Sequence, residues 1–388
     1  MILIKHADLY QPRHHGMSDI LIGGNAILSI AAHIEASSLP DPVEIIDAQR
    51  RPVVPGFIDN HVHITGGGGE GGFQTRTPEL AIEDAITAGV TTVIGVLGTD
   101  GVARSLETLL AKVYAIRAQG LSAWCYAGSY HVPFRTLTGS LMQDIMLVEP
   151  ILGAGEIAVS DHRSSRPSVE ELARIVADAR VAGLLSGKAG VVNMHLGDEP
   201  AGLEPLRKIV AAQPILARTM LPTHCGRNER LFQEALEWAK EGGVADFTTS
   251  SVPSFVAGGE ITAAAALKTF RDLQIPLERI TWSSDGQGSL PLFNEEGVCT
   301  GIGIGTCRSL VAALQEACGT GIPLEDALLP ITANPASVLR LQGKGQIAHG
   351  ADADLVILDE DLRPATVVAR GRVLLQEHML VHGVSASI

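Results

Sequence analysis

Cysteine is scarce in this 388-residue chain: Cys125, Cys225, Cys299, Cys307 and Cys318 make an odd count, and no two stand in a CxxC pair. That excludes a disulfide framework and a thiolate zinc site, and reduced thiols are expected. Long apolar runs are also missing. No window offers the ~18 consecutive apolar residues of a membrane span. The opening "MILIKHADLY" lacks the sustained apolar stretch of a secretory signal, so a cytoplasmic location is expected. Positive charge is in deficit, with a formal net charge of -14. This argues against a general nucleic-acid or membrane-surface binder while leaving room for a local positive pocket. No GK[ST] follows the glycine run "GGGGEGG", so that run is not a phosphate loop.

What is present reads as a folded enzyme. Hydrophobic residues reach 46%, charged residues 19%, and there are 42 glycines. The length suits one large domain with a smaller companion, since α/β barrels run to roughly 250 residues as one unit. Strand-like stretches alternate with helix-like ones: "GFIDNHVHI", "TTVIGVLGT", "SAWCYAGSY", "GEIAVSD", "VVNMHLG", "MLPTH", "VADFTTS" and "ITWSSD". Eight such strands predict an α/β fold closed into a (β/α)8 TIM-like barrel over residues 55–342. In "SVEELARIVADARVAG", Ser168 and Glu171 form a capping box, and Leu172, Ile175, Val176 and Ala179 form the apolar stripe of a helix. A second helix is expected to start at Thr77, with Pro78 in its first turn. Residues 1–54 and 343–388 contain short β-like runs such as "GQIAHGADADLVILDED", which predict one small β-sandwich domain built from both chain ends.

The chemistry is carried at strand ends. His61 and His63 are two residues apart, so on a strand with Val62 outward both imidazoles point into the barrel. A bare HxH is weak evidence for a metal. His195 ends "VVNMH", His224 ends "MLPTH" and Asp285 ends "ITWSSD", however, and in a barrel all of these carboxyl ends meet at one face. Any one of them alone reads as a hydrogen-bonded histidine or a helix-capping aspartate. Four histidines and an aspartate at separate strand ends read as a metal site. Glu156 sits inside the apolar run "GAGEIAVSDHRS", where an unpaired carboxylate would be costly, so either a cation faces it or the stretch is not a buried strand.

This arrangement resembles the metal-binding pattern of the amidohydrolase superfamily. The motifs "HVHITGGGGEGGFQTRTPE", "GSYHVP", "SDHRS", "THCGRN" and "SSDGQGS" resemble those of the isoaspartyl dipeptidase family. The resemblance implies two divalent metal ions, with zinc favoured by nitrogen and oxygen ligands, held by His61, His63, Glu156, His195, His224 and Asp285. It also implies hydrolysis of the β-aspartyl isopeptide bond of a small dipeptide. Metal coordination brings the pKa of water to about 7, so a hydroxide nucleophile is available at neutral pH. Asp285 would act as general base and then acid, and Tyr130 would donate to the developing oxyanion. Glu70 matches the position expected to bind the substrate amine, and Arg163 and Arg227 match those expected near its α-carboxylate. Ser289, Gly68 and Thr99 match further pocket positions. The resemblance further implies a homo-oligomer, an octamer in the family pattern, with no nucleic-acid or membrane partner.

Glu156 departs from the family. Isoaspartyl dipeptidases usually carry a carbamylated lysine at this fourth-strand position, and here no lysine lies between Lys112 and Lys188. Glutamate supplies the same carboxylate, although its carboxyl carbon falls roughly 3–4 Å short of a carbamate carbon. Gly153 and Gly155 could let the backbone move inward to compensate. Two other readings of Glu156 stand beside this one: pairing with Arg163 alone, or a site for a single metal. The shared ligand set also admits a cyclic amidase such as a dihydroorotase or hydantoinase, an N-acyl-amino-acid deacylase, or a non-catalytic scaffold homologue. His14, His15, His131, His162 and Cys225 are read as structural.

Overall fold

A computed structural model describes residues 1–40, 42–293 and 299–381. Eight strands, one overlapping each of the stretches above, run along a barrel. They are β1 (Phe57–Val62), β2 (Val90–Gly95), β3 (Ser122–Ala127), β4 (Ile151–Val159), β5 (Val191–Leu196), β6 (Met220–Thr223), β7 (Ala245–Thr248) and β8 (Ile280–Ser283). Nearly every residue of these strands is buried. Parallel strands covered on both faces read as continuous apolar runs, which is why they stood out in the sequence. The backbone ladder is not continuous around the barrel. Strands β1 to β6 form one six-stranded parallel sheet in chain order, while β7 and β8 pair only with each other. An isolated Val62–Gly286 bridge links the end of β8 to β1, and the Cys225 N–H donates to the Asp246 carbonyl at 3.1 Å between β6 and β7.

The helix Val169–Ser186 forms as its sequence predicts. Ser168 Oγ accepts from the Glu171 N–H at 3.2 Å, and the Glu171 carboxylate accepts from the Ser168 N–H at 2.8 Å. Leu172, Val176 and Ala179 are buried against the barrel, Ile175 is partly so, and the helix stops at Gly187 with φ 73°. The helix expected from Thr77 does not form there. It runs from Ile82 to Thr87 without a side-chain cap. Thr77 is engaged elsewhere: its hydroxyl accepts from the Gly67 N–H at 2.6 Å and donates to the Gln287 carbonyl at 2.5 Å, pinning the glycine-rich loop to the segment after β8.

Strands from both chain ends build a separate nine-stranded sheet with its own core of Ile4, Leu9, Ile20, Ile22, Val53, Leu355, Ile357 and Val368. The fold is thus a (β/α)8 barrel carrying a small β domain made from the two ends of the chain. Residues 382–388, assigned to that domain from sequence, lie outside the described residues. Buried Lys344 joins the two parts. Its ammonium donates to Ser122 Oγ of β3 at 2.7 Å and pairs with Asp354 and, at 2.8 Å, with Asp352.

Strand β4 begins at Ile151, four residues before the stretch recognised in the sequence, and it is bulged. Val192 faces Ala154 and Met194 faces Ile157, so Gly155 and Glu156 together oppose Asn193 alone. The approach to β5 is closer than a side chain permits. A methyl group on Gly153 would lie 1.9 Å from the Val191 carbonyl oxygen, and one on Gly155, at φ 148°, would lie 2.8 Å from Asn193 Cβ. Gly153→Ala should therefore force β4 off β5 and cost about 1–3 kcal/mol in urea unfolding, the range for overpacked cores. Gly319→Ala, at a position with nothing within 4 Å, is the control and should be near neutral.

Candidate metal centre

Five strands deliver ligand-type side chains to the carboxyl-terminal mouth of the barrel. His61 lies on β1 and His63 just beyond it, Glu156 on the bulge of β4, and His195 on β5. His224 follows β6 and Asp285 follows β8, each turned inward by a left-handed residue, with φ 64° and 51° respectively. The histidines and Glu156 are buried, and Asp285 is partly exposed toward the opening. His63 Nε2 stands 3.1 Å from Asp285 Oδ1, and His61 Nε2 stands 3.4 Å from Glu156 Oε2 and 3.6 Å from Asp285 Oδ1. On the other side, Glu156 Oε1 is 2.6 Å from His195 Nδ1 and 3.4 Å from His224 Nε2. Two groups result, His61 with His63 and Asp285, and His61 with Glu156 and His224. Within each group the ligand atoms lie within 4.8 Å of one another.

Several of these atoms have nothing to bond. His61 Nε2, Glu156 Oε2 and Asp285 Oδ1 are buried without a hydrogen-bond partner among the described residues. Leaving buried polar atoms unsatisfied costs ~1–3 kcal/mol each. A set of imidazole nitrogens and carboxylate oxygens aimed at one space without donors between them fits divalent cations of the zinc type. The outward nitrogens are held by neighbours. His61 Nδ1 faces Asn193 Oδ1 at 3.1 Å, His224 Nδ1 faces Thr248 Oγ1 at 2.5 Å, and His195 Nε2 faces Asp161 Oδ2 at 3.0 Å. An acceptor on that side holds the ring proton there and leaves the other ring nitrogen free to act as a ligand. Charges within the cluster are strongly coupled. Burial alone would raise the Glu156 carboxyl, but His61 and His195, with hydrogen bonds from His195 and His224, hold it well below the usual range. Burial would likewise lower His61, yet the Glu156 and Asp285 charges raise it to about 9. Burial and the His195 charge bring His224 down to about 3.

Beside the cluster lies a polar pocket. Glu70 Oε1 accepts from Thr99 Oγ1 at 2.9 Å and from Arg163 Nη1 at 3.3 Å. Arg163 also grips Asp161 through Nε at 3.0 Å and Nη2 at 2.8 Å, and it lies 5.3 Å over the Tyr130 ring. Its carboxylate partners are thus Asp161 and Glu70, and the reading in which Glu156 pairs with Arg163 alone is not what the structure holds. Tyr130 OH is 2.8 Å from His195 Nδ1, and burial keeps its hydroxyl well above the usual phenol range. Gly68, at φ 68°, sits where a methyl group would stand 2.7 Å from the Thr75 carbonyl oxygen and 3.4 Å from Ser289 Cβ, so the glycine loop backs directly onto Ser289. Arg227 faces a different carboxylate. Its Nη1 is 3.9 Å from Asp198, and its Nε is buried without a partner among the described residues.

Sequence reasoning passed over Asp161, Asn193 and Thr248. Asp161 carries two contacts at once, one to His195 and one to Arg163, and it was visible as an acid at the end of a strand two residues before that arginine. Asn193 was visible too, two residues before His195 on the same strand. Thr248 carried no signal, because only the packing of β7 against β6 brings it to His224.

A sequence profile described as Amidohydrolase family matches residues 53–374. Among solved structures, a β-aspartyl dipeptidase from the thermophilic, keratin-degrading Fervidobacterium islandicum AW-1, in complex with β-Asp-Leu dipeptide, is 43% identical. It superposes with a TM-score of 0.90, and the match covers 98% of each chain. A D-hydantoinase from Thermus sp., 16% identical over 98% of this chain and 96% of that one, with a TM-score of 0.67, shares the fold. A dihydroorotase from Staphylococcus aureus strain Mu50 is 40% identical over 107 residues, and the match spans 28% of this chain and only 24% of that protein. The chain therefore belongs to the amidohydrolase family, in the branch that includes the β-aspartyl dipeptidases.

Proposed function

We propose that this protein hydrolyses the β-aspartyl bond of small isoaspartyl dipeptides at a centre of two divalent cations, zinc by its donor set. The observation that carries the reading is the buried ligand cluster, with its unpartnered nitrogen and oxygen atoms, opening beside the opposed charges of Glu70 and Arg163. A β-aspartyl dipeptide presents a free ammonium, a free α-carboxylate and a scissile side-chain amide, and each meets a group suited to it. Glu70 takes the ammonium with Thr99 steadying its carboxylate, and Arg163 takes the α-carboxylate, joined by Arg227. Gly68 and Ser289 line the wall. Two other family activities share the ligands, but a cyclic amide such as dihydroorotate offers no ammonium for Glu70.

The metal ligands in this reading are His61, His63, Glu156, His195, His224 and Asp285. When bound, the cations would polarise the amide and bring water to a nucleophilic state at neutral pH. Burial would raise Asp285, but the His63 imidazole 3.1 Å from its Oδ1 and the surrounding histidines draw it down to about 2, so it is ionised and free to accept the proton of the attacking water. It then delivers that proton to the leaving amine nitrogen. Tyr130 keeps its proton and donates it as a hydrogen bond to the oxygen that gains charge. Asp161 holds His195 and Arg163 in one frame, so the ligand cluster and the carboxylate-binding guanidinium keep a fixed spacing.

Three outcomes are expected. The purified protein should cleave β-Asp-Leu and leave α-Asp-Leu and dihydroorotate intact; turnover of dihydroorotate alone would replace the dipeptide reading with the cyclic-amidase one. Glu70→Gln should raise KM for β-Asp-Leu about 10- to 100-fold, the equivalent of losing one charged hydrogen bond, in steady-state kinetics. Chelated protein given zinc alone in carbonate-free buffer should recover full activity, because Glu156 needs no carbamylation. Recovery that depends on added bicarbonate would assign the bridging carboxylate to a modified lysine.

A further inference from the structure

We propose that Asp246, on a barrel strand that supplies none of the cation-binding side chains, is a positioning residue that locks the detached β7–β8 pair to its two ligand-bearing neighbours. The inference rests on the metal-centre reading above. Asp246 is fully buried, and its carboxylate accepts four side-chain hydrogen bonds. Oδ1 takes Asn60 Nδ2 at 3.0 Å and Thr281 Oγ1 at 2.7 Å, and Oδ2 takes Thr223 Oγ1 at 2.7 Å and Ser283 Oγ at 2.5 Å.

The placement of those donors is what separates this group from an ordinary satisfied core acid. Thr281 and Ser283 belong to β8, which already pairs with β7 through its backbone. Asn60 and Thr223 do not. Asn60 lies on β1 immediately before His61, and Thr223 ends β6 immediately before His224. These are the two seams at which the parallel ladder stops. Few other contacts cross them. At the β8–β1 seam, Asp59 holds the N–H and hydroxyl of Ser284, Asn60 Nδ2 also reaches the Trp282 carbonyl at 3.4 Å, and the His63 N–H donates to the Gly286 carbonyl at 2.8 Å. At the β6–β7 seam, the crossing bonds are the Cys225 N–H to the Asp246 carbonyl and His224 Nδ1 to Thr248.

A cation site tolerates only ~0.2 Å in its ligand distances. His61, His63, His224 and Asp285 all hang from strand ends flanking these seams, so a small slip of the β7–β8 pair moves them relative to one another. One carboxylate bonded across both seams resists that slip, because each of its donors would be left unpaired in the interior.

The test compares donors that cross a seam with one that does not. Metal-free protein is titrated with zinc by calorimetry, and the cobalt-loaded protein is read by its visible ligand-field bands. Asp246→Asn and Thr223→Val should each weaken zinc binding about tenfold or more and shift the cobalt bands, in the range seen when outer contacts of a metal site are lost. Thr281→Val removes a bond inside the β7–β8 pair. It should leave zinc affinity within about twofold of the parent and the cobalt bands unchanged. Equal weakening by Thr223→Val and Thr281→Val, or parent-like binding by Thr223→Val, would overturn the proposal. If Asp246→Asn does not fold, the two threonine variants decide alone. Failure of the parent protein to bind either ion would instead refute the metal centre itself.

Discussion

The rest of the molecule depends on a crowd of imidazole nitrogens and carboxylate oxygens, drawn from five strands, facing one another at the buried mouth of the barrel. His61 stands at the middle of it, within reach of both Glu156 and Asp285. Such a cluster is unfavourable as a piece of protein interior, since Glu156 Oε2, Asp285 Oδ1 and His61 Nε2 are buried without partners. It becomes reasonable once cations occupy the space between them. A parallel barrel is the architecture that makes the arrangement possible, because every strand ends on the same face and can bring one side chain to it.

Glu156 shows how local backbone geometry positions a short acidic side chain. A glutamate is shorter than the carbamylated lysine expected at this position, and the chain answers with geometry. Gly153 and Gly155 bring β4 against β5 more closely than any side chain would allow, and the extra residue of the bulge presents Glu156 to His61, His195 and His224. The same glutamate gains its low proton affinity from those histidines, against the opposing effect of burial.

The polar pocket beside Glu70 is tied to this cluster by Asp161, whose two oxygens serve Arg163 and whose Oδ2 also meets His195. Before any ligand arrives, Arg163 and Glu70 satisfy each other. A zwitterionic aspartyl head can replace that internal pair charge for charge, whereas a dihydroorotate anion has no cation to offer Glu70. In the proposed reading, charge matching at the pocket sets specificity and the ligand cluster beneath it supplies the chemistry.

Much of this was legible in the residues alone, and for identifiable reasons. Period-two and apolar patterning announced all eight barrel strands because those strands are buried on both faces. The capping box at Ser168 and Glu171 announced its helix because the bonds it makes are local. The histidines and Asp285 could be grouped because strand ends in a closed parallel barrel must converge. Less local features were hidden. Thr77 looked like a helix start and is instead bonded to Gly67 and Gln287, more than two hundred residues from the latter. The sequence by itself determined which side chains reach the mouth of the barrel, since alternation along a strand is a property of the backbone. Only the tertiary structure decided the bulge that extends Glu156, the break in the ladder on either side of the β7–β8 pair, and the reach of Asp246 across both gaps, because each depends on contacts between strands that no single segment encodes.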